Sequence, residues 1–499
     1  MDDDPVTDCT PGCTIAIDHH NTDAWYRVIY ANSNSLPLSI GDATKIPSQG
    51  TVAPPPVMET IHHYWYAATA PECPNANGSD CGAYPTGNGY INVYDMHTGF
   101  ARINTISLPS TVKGLRGLFA DVSNNALYLP NYGTTVVRTD IGGSGNPPRL
   151  LRLNLTTNAT VYDQTYPTLA AIDRACASSD GTTIYAPAGE NLQPSSGAPQ
   201  NGFDTDWYVI NAATGFQLSG GAGLIPITSG AVRPHNTICD TNGSGSTGQI
   251  YFGAVDVSGG ASGNHSVAVY NIAGGTQTTV GNFTAGTGRV RPFTVDKMNG
   301  LIYVTLEDFV GFSVGNVSTG AVVFDGVSPT GTYGGPGYTQ PMTSNVVNSH
   351  AIALSADGNK LFVGDPNMAS AACVASQGSG SSTSNGIEVW DVSAVRAGGA
   401  PVYRSFLHTA QDCHDYDGKT PGWAMTSYDG RYLIAETGEV WDVSGASPVS
   451  VTRLLDPNQT DGNGGYMDTR YGIEVDFNGA TPVRAGEQFG TGHTVIPIP

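Results

Sequence analysis

Charge is scarce in this chain of 499 residues: Asp, Glu, Lys and Arg make up 13% of it, with 21 basic residues against 42 acidic ones and only five Lys. A net charge of −21 argues against nucleic acid or anionic lipid as the partner, while leaving room for a small anionic ligand where the few cations are concentrated. Long apolar runs are missing as well. No segment has the roughly 20 apolar residues that span a bilayer, and none shows an apolar stripe of helical period. No Gly-rich loop opens a helix and no G-x-S-x-G elbow is present, so a phosphate cradle and a serine triad find no support. No secretory leader is present either: Met1 runs straight into three Asp, and the chain reads as a mature form given an initiator Met.

Gly (64) and Pro (32) are plentiful, as expected of a chain built from strands and loops. Eight Cys outnumber the Lys, and eight Asn-x-Ser/Thr sequons are present at Asn77, Asn154, Asn158, Asn242, Asn264, Asn282, Asn316 and Asn458. Together with the acidic balance these point to a secreted, disulfide-bonded glycoprotein. Proximity groups Cys9 with Cys13, Cys73 with Cys81, and Cys373 with Cys413. Cys176 and Cys239 fall on equivalent strands of neighbouring repeats, either paired or free.

The dominant feature is a repeat. An apolar strand ends in an acid or amide followed by a tight turn at Asp95, Asn154, Asn211, Asn271, Asn316, Asp391 and Asp442, at intervals of 59, 57, 60, 45, 75 and 51 residues. A second element precedes each copy: YWYAA (64–68), ALYLP (126–130), TIYAP (183–187), QIYFG (249–253), LIYVT (301–305), KLFVG (360–364) and RYLIA (431–435). These short aromatic and β-branched runs suit a half-buried pleated surface. Six are preceded by an inner strand that ends in an Asp/Asn/Gly hairpin turn. The expected fold is all-β: a seven-bladed β-propeller with four-stranded antiparallel blades around a central channel. Residues 1–56 form an N-terminal segment, 57–450 the propeller, and 451–499 a segment that packs on it or closes it. The first blade fits least, because TVAPPPVMETIHH makes a poor inner strand. Residues 13–32 or the late YGIEVDF segment would complete it.

In such a blade the tight turns after the first and third strands share one face of the disc. The long loops and the starts of the inner strands share the other, which is therefore the expected functional mouth. Aligning the repeats puts Arg116, His235, Arg291 and His350 at corresponding strand starts, with Arg174 and Trp423 one residue further in. Arg233 lies two residues upstream of such a position, His62 and His63 occupy the approach to the first blade's second strand, and Tyr64 opens that strand. Strand-start cations can simply pair with acids such as Asp121 or Asp173. As a cluster they instead suit an anionic ligand: Arg116, Arg174, Arg233 and Arg291 to hold it, and Trp423 and Tyr64 to stack on a sugar. His235, His350 and His63 are the candidate acid/base groups. Arg neutralising a carboxylate while His removes the adjacent proton is β-elimination on a uronic acid. The same imidazoles could instead ligate iron or copper, although Arg291 at an equivalent position opposes a cation there. No cofactor is required. The acidic loop 456–468 is read first as a polar loop and second as a calcium site, its spacing departing from an EF-hand. The expected partner is an anionic oligo- or polysaccharide, bound by a monomer.

HAIALSADGNKLFVGD (350–365), IEVWDVS (387–393), GWAMTSYDGRYLIAE (422–436) and EVWDVSG (439–445) resemble blades of the lactonase-like and surface-layer-like seven-bladed propellers. That resemblance implies the fold over about six blades, and lactone hydrolysis with a carboxylate-ligated divalent metal, whose acids are not evident at the strand starts. By architecture and site character the chain is also similar to the fungal L-rhamnose-α-1,4-D-glucuronate lyases. No motif is shared, so none of their catalytic residues carries over. A non-catalytic glycan- or protein-binding propeller is the remaining class.

Overall fold

The computed structural model describes residues 16–21, 24–29, 59–69, 89–112, 115, 117–131, 148–166, 172, 174–178, 180–187, 206–219, 223–226, 232–240, 248–256, 265–286, 290–306, 309–327, 349, 351–365, 386–409, 424–436, 438–454 and 471–486. The strands run β1 Ala16–Asn21, β2 Ala24–Ile29, β3 Glu59–Thr69, β4 Tyr90–Asp95 and β5 Ala101–Ser107. The second blade follows with β6 Phe119–Asp121, β7 Ala126–Asn131, β8 Arg149–Asn154 and β9 Thr160–Thr165. The third has β10 Cys176–Ala177, β11 Thr183–Pro187, β12 Asp206–Asn211 and β13 Leu224–Pro226. The fourth has β14 Val232–Asp240, β15 Gln249–Asp256, β16 Val267–Asn271 and β17 Thr276–Val280. The fifth has β18 Val290–Asp296, β19 Leu301–Leu306, β20 Phe312–Asn316 and β21 Val322–Val327. The sixth has β22 Ile352–Leu354, β23 Lys360–Asp365, β24 Gly386–Asp391 and β25 Val402–His408. The seventh has β26 Ala424–Thr426, β27 Tyr432–Ala435, β28 Glu439–Asp442 and β29 Val449–Arg453, before β30 Tyr471–Asn478 and β31 Thr481–Ala485. Each blade from the second to the seventh is an antiparallel meander in chain order. The molecule is a seven-bladed β-propeller.

The acid or amide ending each third strand has a mechanical reason. Its side-chain oxygen accepts from backbone N–H groups of the following turn in all seven copies, at 2.8 to 3.1 Å, for instance from His97 at Asp95, Ala213 at Asn211 and Ser444 at Asp442. A short polar side chain thus satisfies donors that the turn would otherwise leave unpaired.

The core is divided among seams between neighbouring blades. Seven buried clusters each join two adjacent blades, and together they run round the ring: Leu127 and Leu151 pack with Tyr66 and Ile91, Tyr208 with Tyr128, Trp207 with Phe252, and Phe293 with Val267. Trp390 packs with Phe312, Leu433 with Phe362, and Trp65 with Met425 and Ile434. Second strands are therefore covered on both faces, as in β7 and β19, where every residue is buried and most are apolar. On the tight-turn face the turns interlock. Gly430, at φ +70°, has Ala356 of the preceding blade where a Cβ would stand, 2.9 Å away.

The first blade is completed from far along the chain. β30 is hydrogen-bonded to β3 over eight residue pairs, from Ile61 with Asn478 to Ala68 with Tyr471, and makes the inner strand for β3, β4 and β5. YGIEVDF therefore fills the place that the TVAPPPVMETIHH stretch could not. Residues 16–29 form a hairpin, β1–β2, that pairs with the start of β3 through Trp25 and Ile61. β31 turns back along the other edge of β30, the edge that in the remaining blades faces the channel.

Candidate functional site

At the mouth, the backbone places His235 near the start of β14 and Arg291 near the start of β18, the inner strands of adjacent blades. Counting back from Asp240 and Asp296 puts the two at corresponding positions. Each also coincides with a break in register: pairing with the second strand skips from Pro234 to Asn236, and from Val290 to Phe293. A β-bulge leaves the extra residue out of the ladder and re-aims it, and bulges gather at barrel rims and active sites. Arg233 stays in the ladder, opposite Val255. Arg174 is fully buried, two residues before β10.

Cys176 of β10 and Cys239 of β14 form a disulfide, Cα atoms 5.7 Å apart, which resolves the pairing left open for these two. It ties the inner strands of the third and fourth blades together, two residues after Arg174 and four after His235. Arg116, His350 and Trp423 lie outside the described residues, as do loop 456–468 and the other six Cys.

His63 and Tyr64 are not brought to this mouth. A second strand begins where the first ends, so the start of β3 stands at the tight-turn face. The register confirms it, pairing His63 with Asp476 near the end of β30 and Tyr64 with Asp95 at a tight turn. Tyr64 is half-buried between the His62 ring, 6.1 Å away and parallel, and that of Phe477 at 5.6 Å.

His63 sits instead in a buried charged cluster at the ring closure. Its Nδ1 is hydrogen-bonded to Glu474 Oε1 at 2.7 Å and stands 2.9 Å from Asp476 Oδ1. Glu474 and Asp476 are two apart on β30 and so share a face. Both are essentially inaccessible to solvent, and His63 is 6% exposed. Arg484 of β31 donates to Asp476 Oδ2 from Nε at 2.7 Å, its guanidinium lying 4.6 Å from the Tyr428 ring centroid. The backbone N–H of Tyr428, in the seventh blade's first tight turn, donates to Glu474 Oε2. The His97 ring lies 4.9 Å from that of His63.

Burial alone would push the His63 imidazole down, but bonding and attraction to Asp476 and Glu474 outweigh it and raise the pKa to about 10. Burial and the neighbouring Asp476 push Glu474 up. Burial would also raise Asp476, yet His63 and Arg484 hold it below the usual carboxylate range. Glu474, Asp476 and Arg484 were missed from the sequence. The signal available was the alternation I-E-V-D-F, two acids on one face of an otherwise apolar strand, which a buried position must match with cations.

Neither a family model nor a curated protein matches the chain. Solved structures do. A Lactobacillus plantarum protein is 12% identical, with 79% of this chain and 96% of that one covered at a TM-score of 0.50. The periplasmic gluconolactonase PpgL of Pseudomonas aeruginosa is 13% identical, with 86% and 99% covered at 0.49. The dihydro-heme d1 dehydrogenase NirN, solved in complex with DHE, is 11% identical, with 85% and 73% covered at 0.44. At such identities a likeness speaks for fold at most and says nothing of what this chain does.

Proposed function

We propose that the protein is an extracellular carbohydrate-active lyase that takes a uronate-bearing glycan at the long-loop mouth and cleaves it by β-elimination. The observation that carries this reading is the pair of coincident bulges at His235 and Arg291 in adjacent blades. In a chain of net charge −21, an Arg and a His released from the ladder at equivalent rim positions suit a bound carboxylate beside a proton acceptor.

In this reading Arg291, with Arg233 and Arg116, neutralises the uronate carboxylate and acidifies the α-carbon, while the fully buried Arg174 makes no direct contact with the glycan. His235 takes the α-proton, the C–O bond β to the carboxylate breaks, and a C=C bond forms. His350 returns a proton to the leaving oxygen, and Trp423 stacks on a sugar ring. His63 and Tyr64 have no part, being at the opposite face. Secretion fits the interblade disulfide, and among the described residues no helix is long and apolar enough to cross a membrane.

The test is incubation with glucuronate-containing polysaccharides while following absorbance of a newly formed unsaturated uronate. His235→Ala is expected to lower kcat about 10²- to 10⁴-fold, the usual contribution of a general base. Arg291→Ala is expected to weaken both binding and turnover. If no unsaturated product forms, yet glycan binding is measurable and lost in Arg291→Ala, the propeller is a binding module. Ring opening of an aldonolactone without elimination would make it a lactonase.

A further inference from the structure

We propose that His63, Glu474 and Asp476 form a site for a divalent cation of the zinc class, which fastens the end of the propeller's circuit to its beginning. The inference stands apart from whatever the mouth binds.

Three donor atoms of the right kind converge there: one imidazole nitrogen and two carboxylate oxygens, all within 4.8 Å of one another. Imidazole with carboxylate is a donor set suited to zinc and its first-row neighbours. The atoms that do not converge are held from outside. Asp476 Oδ2 is occupied by Arg484, and Glu474 Oε2 by the Tyr428 N–H. This is how outer partners aim ligands in metal sites, by fixing one oxygen of a carboxylate and turning the other inward.

Asp476 Oδ1, by contrast, is fully buried and has the His63 imidazole as its charged neighbour. It stands 2.9 Å from His63 Nδ1, which is 2.7 Å from Glu474 Oε1. Donor atoms separated by about 3 Å fit around one ion at metal–ligand distances of about 2.0–2.2 Å. On binding, the ion takes the place of the proton on His63 Nδ1, which is released to solvent.

The experiment uses the full chain, stripped with a chelator and titrated with zinc by calorimetry, with metal analysis of the product. One zinc per chain is expected, with a rise in Tm. Glu474→Gln and Asp476→Asn, close in shape to the originals, should each weaken binding about 10- to 100-fold or more. Zinc binding of unchanged affinity in both variants, or none to the folded stripped protein, overturns the proposal and leaves an ion-pair cluster. Should the variants fail to fold, hydrogen exchange on the wild type decides: zinc must slow exchange in the peptides covering 59–69 and 471–478, and unchanged rates there sink the idea.

Discussion

In the second, fifth, sixth and seventh blades a tight turn joins the first strand to the second; the first blade joins them across the length of the chain. In these four, an Asp at the turn is satisfied by neighbours a few residues away, as when Asp121 accepts from Ser123 and Asn124, or Asp429 from Ser427 and Arg431. In the first, the corresponding end of the inner strand carries Asp476 and Glu474, whose partners His63 and Tyr428 lie far away in sequence. Where the chain supplies connection, neutral turn chemistry suffices. Where it does not, charge is placed under cover, and a buried charge is costly unless its partner arrives. The difference teaches that the closure is selective: it tolerates β30 in one register only, since a slip of one residue would turn both acids to the other face.

The largest effect should come from breaking that closure. His63→Ala leaves two carboxylates facing each other in a dry seam, and a loss of about 3–5 kcal/mol is expected in denaturant unfolding, as for other broken buried pairs. A loss below about 1 kcal/mol would mean that the apolar contacts of β30, not the charges, hold the ring shut.

Next comes the seam that, among the described residues, is fastened covalently. Replacing both Cys176 and Cys239 by Ala opens a loop of 63 residues, and about 2–4 kcal/mol should be lost. Comparing it with His63→Ala in the same assay weighs a disulfide against a charge cluster as a fastener between strands.

Gly430→Ala tests the interlocking turns. Its φ of +70° and the approach of Ala356 both oppose a Cβ, so a cost of about 1–3 kcal/mol is expected. Gly99, at φ +71° with nothing within 4 Å, is the control that reports backbone strain alone.

The smallest effect concerns an outer pair. Arg404 donates to Asp391 at 2.6 Å, and with Ser393 holds that carboxyl down at about 2. Its stabilisation is complete above the unfolded pKa of about 3.9 and fades as pH falls from there through about 2. The arginine is more than half exposed, so under about 1 kcal/mol is at stake. Asp391→Asn should remove that part of the acid dependence and leave stability at pH 7 nearly unchanged.

The repeat was legible because local chemistry writes it. Asp95, Asn211 and Asp442 cap their own turns, and a side chain that bonds two or three residues ahead leaves its mark in the sequence. Aligning the strands also brought His235 and Arg291 into correspondence, although nothing in either segment announces a bulge. What the sequence hid was partnership at a distance. The propensity of YGIEVDF for a strand is plain, but its neighbour is 411 residues away, and nothing local distinguishes that edge from others. His63 was misplaced for another reason: the repeat had already made its strand a second strand, whose start stands at the tight-turn face, and setting it beside inner-strand starts passed over that direction.

The pairing of β3 with β30 also sets an order of events in synthesis. β3 leaves the ribosome early, with its inner edge and an apolar face formed by Trp65 and Ala67 bare. It must wait while six blades are made before its partner appears. At about 5–20 residues per second that interval is roughly 20–80 seconds, during which an unpaired edge is open to the wrong strand. A protein closed this way is most vulnerable before it is finished, and its yield in a cell should follow how well that edge is sheltered until Tyr471–Asn478 arrives.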